Sequence, residues 1–164
     1  MAGIKYLNEL GLHLQKITKR LMANQTLVKY LYYTDKDPLD NPDLTDDEIR
    51  HKVYEKLIKI IPKLDNDEKA NSVIALQVVG GNKNPENQEF KDFVIKVEVF
   101  VPFNQWILKS DNLRPFLIMG EIQKSLEGKT INGLGKIEGG DFSSNFNTEE
   151  ISAFEMFFSI TAYD

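Results

Sequence analysis

Cysteine is absent from the 164 residues, which removes disulfides, thiolate metal sites and cysteine nucleophiles together. Histidine is scarce: His13 and His51 are the only two. Both fall in expected helices among Lys, Gln, Arg and Tyr, and neither advertises a metal centre or a catalytic triad. No apolar run approaches the roughly 20 residues a membrane span needs. An excess of cations is missing too. Lys and Arg number 20 against 25 Asp and Glu, for a net charge of −5 and a pI near 5.1. That balance argues against a strongly basic nucleic-acid-binding module, although not against a local patch. The opening Met1-Ala2-Gly3-Ile4-Lys5-Tyr6 has no apolar signal core or cleavage pattern. The expectation is a chain folded in a reducing cytoplasm, with the sequon Asn24-Gln25-Thr26 unused.

What is present is core-forming material. Apolar residues make up 41% of the chain, ten of them Phe, enough for one domain spanning residues 1–164. The clearest strand is Phe93–Val101, where Phe93, Ile95, Val97, Val99 and Val101 alternate with a mixed set. Pro102 stops its ladder because it has no N–H. A helix then opens near Asp111, with Ser110 or Asp111 as its cap and Pro115 in the first turn. Ile118, Ile122 and Leu126 fall on one side of it, and Gly128 is its expected C-cap. The closing strand sets Phe154, Met156, Phe158, Ile160 and Ala162 against a more polar set.

The N-terminal part, 1–62, reads as helical. Leu7, Leu10, Leu14, Ile17 and Leu21 form a narrow seam on a helix over residues 4–21. The stretch 34–50 is an acidic loop, with Asp35, Asp37, Asp40, Asp43, Asp46, Asp47 and Glu48 against Lys36 and Arg50. It opens like an EF-hand, but Leu39 stands where an oxygen ligand belongs, so no calcium site is expected. Thr45-Asp46-Asp47-Glu48 matches a capping box and is expected to start a helix running through Ile49, Val53, Leu57, Ile60 and Ile61 to Pro62. Leu64–Ala70 reads as polar connection, and Val73–Val79 as a strand. Gly80–Glu89 reads as a protruding hairpin loop and Gly128–Asn147 as loops, with Asn132-Gly133 a tight turn. The fold class is therefore α+β: N-terminal helices and an antiparallel β-sheet with one helix packed on a face, the core being sheet–helix–sheet over 73–164.

Motifs for chemistry fail on inspection. Gly128-Lys129-Thr130 lacks the preceding glycine of a phosphate-binding loop, since Gln123 stands there, and it follows a helix where the motif opens one. Gly133-Leu134-Gly135 with Gly139 misses the dinucleotide fingerprint by one residue. No cofactor is implied. Trp106 and Arg114 are the most individual residues: either Trp106 covers the sheet end and Arg114 pairs with a carboxylate, or both meet a partner.

The order of elements and several phrases resemble the tail-terminator and neck-ring (head–tail connector) proteins of tailed bacteriophages. The phrases are Val99-Phe100-Val101-Pro102 followed by Trp106, Leu113-Arg114-Pro115-Phe116 opening a helix, Ile131-Asn132-Gly133-Leu134-Gly135, and Met156-Phe157-Phe158-Ser159-Ile160. Asn24-Gln25-Thr26-Leu27-Val28-Lys29-Tyr30-Leu31 also looks like the leading helices of such virion proteins. The resemblance implies a non-enzymatic structural subunit of the virion, folded in the host cytoplasm. It implies a ring, six-fold, at the neck or tail end, with other neck and tail proteins as partners and DNA passing through the lumen without specific binding. Acidic side chains around such a lumen would repel phosphates. The acidic segment 34–50 is longer than a minimal terminator needs, which leaves the position in the neck open. Subunit contacts are expected at Leu7, Leu10, Leu14, Asn82, Asn84, Asn87, Trp106, Arg114, Asn132 and Asn145. The residues leave two other classes open: a small soluble adaptor that forms no ring, and an enzyme built on an unadvertised carboxylate pair.

Overall fold

The chain, as a computed structural model, is described here over residues 3–60 and 71–161. The expected connection Leu64–Ala70, Ile61, and Ala162 of the closing strand lie outside the described residues. Two helices lead. A 3-10 turn at Leu7–Glu9 runs into α1 (Leu10–Met22), and α2 (Gln25–Tyr32) follows. Asn24 separates them because its Oδ1 accepts the Leu27 N–H at 3.1 Å, capping α2. The first helix starts later than the seam suggests: Ile4 instead bridges to the sheet, its carbonyl taking the Lys91 N–H at 2.7 Å.

Thr45 does close a capping box with Glu48, at the start of α3 (Asp46–Glu48). The helix expected to reach Pro62 does not continue. It widens into a π turn at Ile49–Val53 and stops, with Tyr54 extended and Glu55 at a φ of 58°. Leu57 and Ile58 are buried beside the sheet, and Ile58–Lys59 forms a short strand, β1, parallel to β2 (Val73–Lys83). A helical pattern and a buried apolar run look alike here, and burial against the sheet decides between them.

The sheet orders its strands β1-β2-β3-β6-β5-β4. The long members are β2 (Val73–Lys83), β3 (Lys91–Pro102), β5 (Gly135–Asn147) and β6 (Ile151–Thr161), each antiparallel to its neighbour. Two expected loops shorten accordingly. Gly80–Lys83 belongs to β2, so the hairpin tip starts at Asn84. Most of Gly128–Asn147 is β4 (Thr130–Ile131) and β5, joined by the Asn132-Gly133 turn with Gly133 at a φ of 75°. Gly139, at a φ of 121°, lets β5 approach β6: a Cβ there would lie 2.6 Å from the Phe157 carbonyl oxygen.

One face of this sheet carries the helices. Ile95, Val97 and Val99 on β3 lie level with Phe158, Met156 and Phe154 on β6, and with Val78, Leu76 and Ile74 on β2. The face is sealed by α4 (Arg114–Leu126), which lies on β3 and against α1 and α2. Its buried side is Ile118, Met119, Ile122 and Leu126. Neither Ser110 nor Asp111 caps α4. Asp111 is left-handed at a φ of 61° and Leu113 holds the cap position with no side-chain bond. Pro115 has no N–H to satisfy, and the Arg114 N–H donates to the Trp106 carbonyl at 2.8 Å. Gly128 is left-handed just past the helix, but its N–H reaches across to the Ile137 carbonyl at 2.8 Å. On the opposite face Ala75, Phe100, Ile151 and Ala153 form a second apolar cluster, with Phe146 6.0 Å from Phe100 between ring centroids.

Candidate interaction surface

Of the residues singled out for subunit contact, the fold brings Leu7, Leu10 and Asn82 together. With Ile4, Val78 and Phe93 they line a groove of about 620 Å³ between the start of α1 and the β2–β3 hairpin. Leu7 is 66% exposed, a cost in water that packing inside the subunit does not remove. Leu10 is half-buried, as is Leu14, which packs on the core beside Ile17 and Leu21. A second hollow of about 550 Å³ lies along the same stretch of β2, lined by Val79–Lys83 together with Val94, Ser159 and Thr161. Both hollows lie over β2 and its neighbour β3.

The three hairpin asparagines part company. Asn82 is exposed in β2, whereas Asn84 is only 3% exposed. Its Oδ1 accepts the N–H groups of Glu86 and Asn87 at 2.9 and 2.8 Å, and its Nδ2 donates to Asp92 at 2.8 Å. Asn87 is half-buried and accepts the Glu89 N–H at 3.2 Å. Asn84 and Asn87 therefore shape the tip instead of reaching out from it.

Arg114 is 0% exposed and cannot touch a neighbour. Among the described residues no carboxylate pairs with it either. Its Nε donates to the Gln105 carbonyl at 3.0 Å, Nη1 to the carbonyls of Tyr30 and Tyr33 at 2.7 and 2.8 Å, and Nη2 to that of Asp35. Tyr30 and Tyr33 end α2, where helix carbonyls lack partners and a cation complements the dipole. Burial pushes the guanidinium below its ordinary pKa, with Asp35 and Tyr30 opposing, and an arginine stays charged regardless.

Trp106 caps the sheet end. Its Nε1 donates to Ser152 Oγ at 2.8 Å, and its ring lies 5.4, 6.4 and 6.2 Å from those of Phe103, Phe116 and Phe154. Phe103 and Phe116 are 40% and 43% exposed, so this is a second apolar surface, at the opposite end of β3 from the hairpin tip. Asn132 is exposed in the β4–β5 turn, its carbonyl taking Lys16 Nζ at 3.0 Å. Asn145 is exposed in β5, where the register shifts between Ser144 and Phe146.

Sequence reading missed Val79, Phe142 and Phe146. All three are exposed, Val79 on β2 and the two phenylalanines on β5, Phe142 at 60%. The glycines and serines around Phe142 mask the alternation that would have marked a strand.

Two carboxylates do meet: Glu98 and Glu155 are cross-strand partners on the face without helices. Glu98 holds Lys96 at 2.7 Å and Glu155 accepts Ser143 Oγ at 3.1 Å, and neither lines a groove along β2. Of the histidines, His13 is buried with no hydrogen bond to Nδ1, and its pKa is lowered by burial and then by Lys16, with Glu9 opposing.

No helix among the described residues is long and apolar enough to cross a membrane. No curated protein matches the chain. A family model does, the one described as YomW, over residues 24–160. That span runs from the cap of α2 to Ile160 in β6, so it takes in the sheet and the helix that seals it. The name comes from an SPbeta-like Bacillus phage region. The chain belongs to the YomW family and is a phage-associated protein.

Proposed function

We propose that this protein is a structural subunit of the virion, closing into a homo-oligomeric ring at the neck or tail end of the particle. It joins tail to head, contacts other neck and tail proteins, and lets DNA pass through the lumen without gripping it. The ring is six-fold by the likeness to tail-terminator and neck-ring proteins. A ring needs heterologous contacts, one surface of each subunit against a different surface of the next. The observation that carries the reading is that the sheet has two such surfaces at opposite ends. One is the groove beside β2, and the other is the exposed strand β5 with Phe142 and Phe146. The acidity of the chain suits a channel that must release phosphates, and the role requires no catalysis. A reconstruction of the particle tests the proposal. Copies of this chain around the DNA channel support it. Particles that lack the chain, or hold it outside any ring, refute it.

A further inference from the structure

Strand β2 is paired on its outer side only at Ile74 and Ala75, by β1. Among the described residues nothing pairs with it from Leu76 to Lys83 on that side. At the far end of the sheet β4 covers only Gly135 and Lys136 of β5, and Lys129 takes the Ile137 N–H. From Glu138 to Asn147 the outer side of β5 is likewise unpaired among the described residues. Open edges of this length are templates for another strand, and proteins that must stay apart blunt them with mid-strand charges or proline. Residues 76–82 carry neither, although the register shifts between Val78 and Gly80, whereas β5 carries Glu138 and Asp141 and leaves Phe142–Asn147 as its uncharged stretch.

Strand direction decides what such edges accept. β2, β3, β6 and β5 alternate in direction. Because the long strands number four, β5 of one copy placed beside β2 of the next runs antiparallel to it. The alternation then continues across the joint without a break. An odd number would have forced a parallel seam.

Side-chain placement agrees. Phe142 lies level with Met156, which lies level with Val97 and so with Leu76. Those partners belong to the helix-bearing face, so Phe142 stands on that face at the free edge of β5. The groove of Ile4, Leu7, Leu10, Val78 and Phe93 lies on the same face, over β2 and β3. Leu76 is two residues from Val78, a stagger of the kind that closing sheets require. Charge agrees as well. Asp141, Glu149 and Glu150 lie on β5 and its following turn without a cation among them, Glu138 being held by Lys136 of the same strand, whereas the only charge in β2 is Lys83.

We propose that the groove beside β2 receives the β5 edge of a second copy of this chain. Main-chain hydrogen bonds form along the two open edges, and Phe142 seats between Leu7, Leu10 and Val78. This is strand addition with a side-chain pocket for register. It rests on the ring reading for its repetition but on the two edges for its geometry.

The absence of cysteine makes the test clean. Leu7→Cys and Phe142→Cys are made singly and together, and oxidised with copper–phenanthroline in the concentrated chain and in phage-producing cells. Within one subunit β2 and β5 are separated by about three strand spacings, roughly 14 Å, and a disulfide formed inside one subunit would leave the double variant monomeric, giving no ladder. The double variant is expected to give a ladder of dimers, trimers and higher multimers, and each single variant only monomer. Phe142→Lys, made without the cysteines, is expected to weaken self-association roughly tenfold to a hundredfold, the worth of one buried Phe, with an unchanged melting temperature. No ladder in either setting overturns the proposal, as do dimers from a single variant, which mean a symmetric contact. A ring in the particle without the ladder leaves the virion role standing and this interface refuted. The ladder from a chain absent from particles does the reverse.

Discussion

Replacing Arg114 by Met removes the guanidinium and keeps much of the stem. Four main-chain oxygens, those of Gln105, Tyr30, Tyr33 and Asp35, lose their donor. A buried acceptor left unsatisfied costs roughly 1–3 kcal/mol. Against the sum stands relief of the guanidinium's desolvation, several kcal/mol in the interior. The net expected loss is about 3–5 kcal/mol, the range for breaking a buried charged network. For a chain of this size each kcal/mol moves the melting temperature by about 2–4 °C, so the expected fall is roughly 6–20 °C. Arg114→Lys should fall between, because one ammonium cannot span carbonyls from α2, its trailing loop and the turn before α4. Calorimetry gives the size of the loss, and amide exchange locates it, with the last turn of α2 at Lys29–Tyr33 loosening first. An Arg114→Met chain melting within about 2 °C of the parent would refute the assignment of Arg114 as the clamp between α2 and α4.

Phe158→Asp should abolish soluble expression, since Phe158 is fully buried and an unpaired carboxylate there costs several kcal/mol. Soluble protein with an unchanged melting temperature would contradict it. Asn84→Ala should cost about 1 kcal/mol by releasing the Glu86 and Asn87 N–H groups, read as a lower denaturant midpoint with an unchanged slope. The folded pKa of His13 lies below its unfolded value, so the unfolded chain binds more protons as pH falls through the window beneath about 6.5. The stability from neutral His13 is therefore full above that pH and lost below it. His13→Leu should flatten the fall in melting temperature between neutral and mildly acid pH, and an identical fall in both chains would exclude His13 as its source.

Local patterns decided a good deal of this protein. The alternation in Phe93–Val101 and in Phe154–Ile160, the four-residue spacing of Ile118, Ile122 and Leu126, and the Thr45–Glu48 capping box each lie within one element. Their physics is complete over a few residues, so the α+β class and the buried faces were legible. What failed was whatever depends on residues distant in the chain. Leu57 and Ile58 fit a helix by spacing, and only the neighbouring edge of β2 turns Ile58–Lys59 into a strand. Gly135–Asn147 carries too few β-formers to announce itself, and β6 supplies the ladder that extends it. Arg114 read as pairing with a carboxylate or meeting a partner because nothing adjacent marks the end of α2, more than 80 residues earlier, as what it holds. The candidate interface follows the same rule. Leu7 and Leu10 were visible as apolar residues on a helix, but the groove they share with β2 and the level at which Phe142 stands exist only once the sheet has set its order and register. A sequence states which groups want a partner, and the tertiary structure states which of them are left without one.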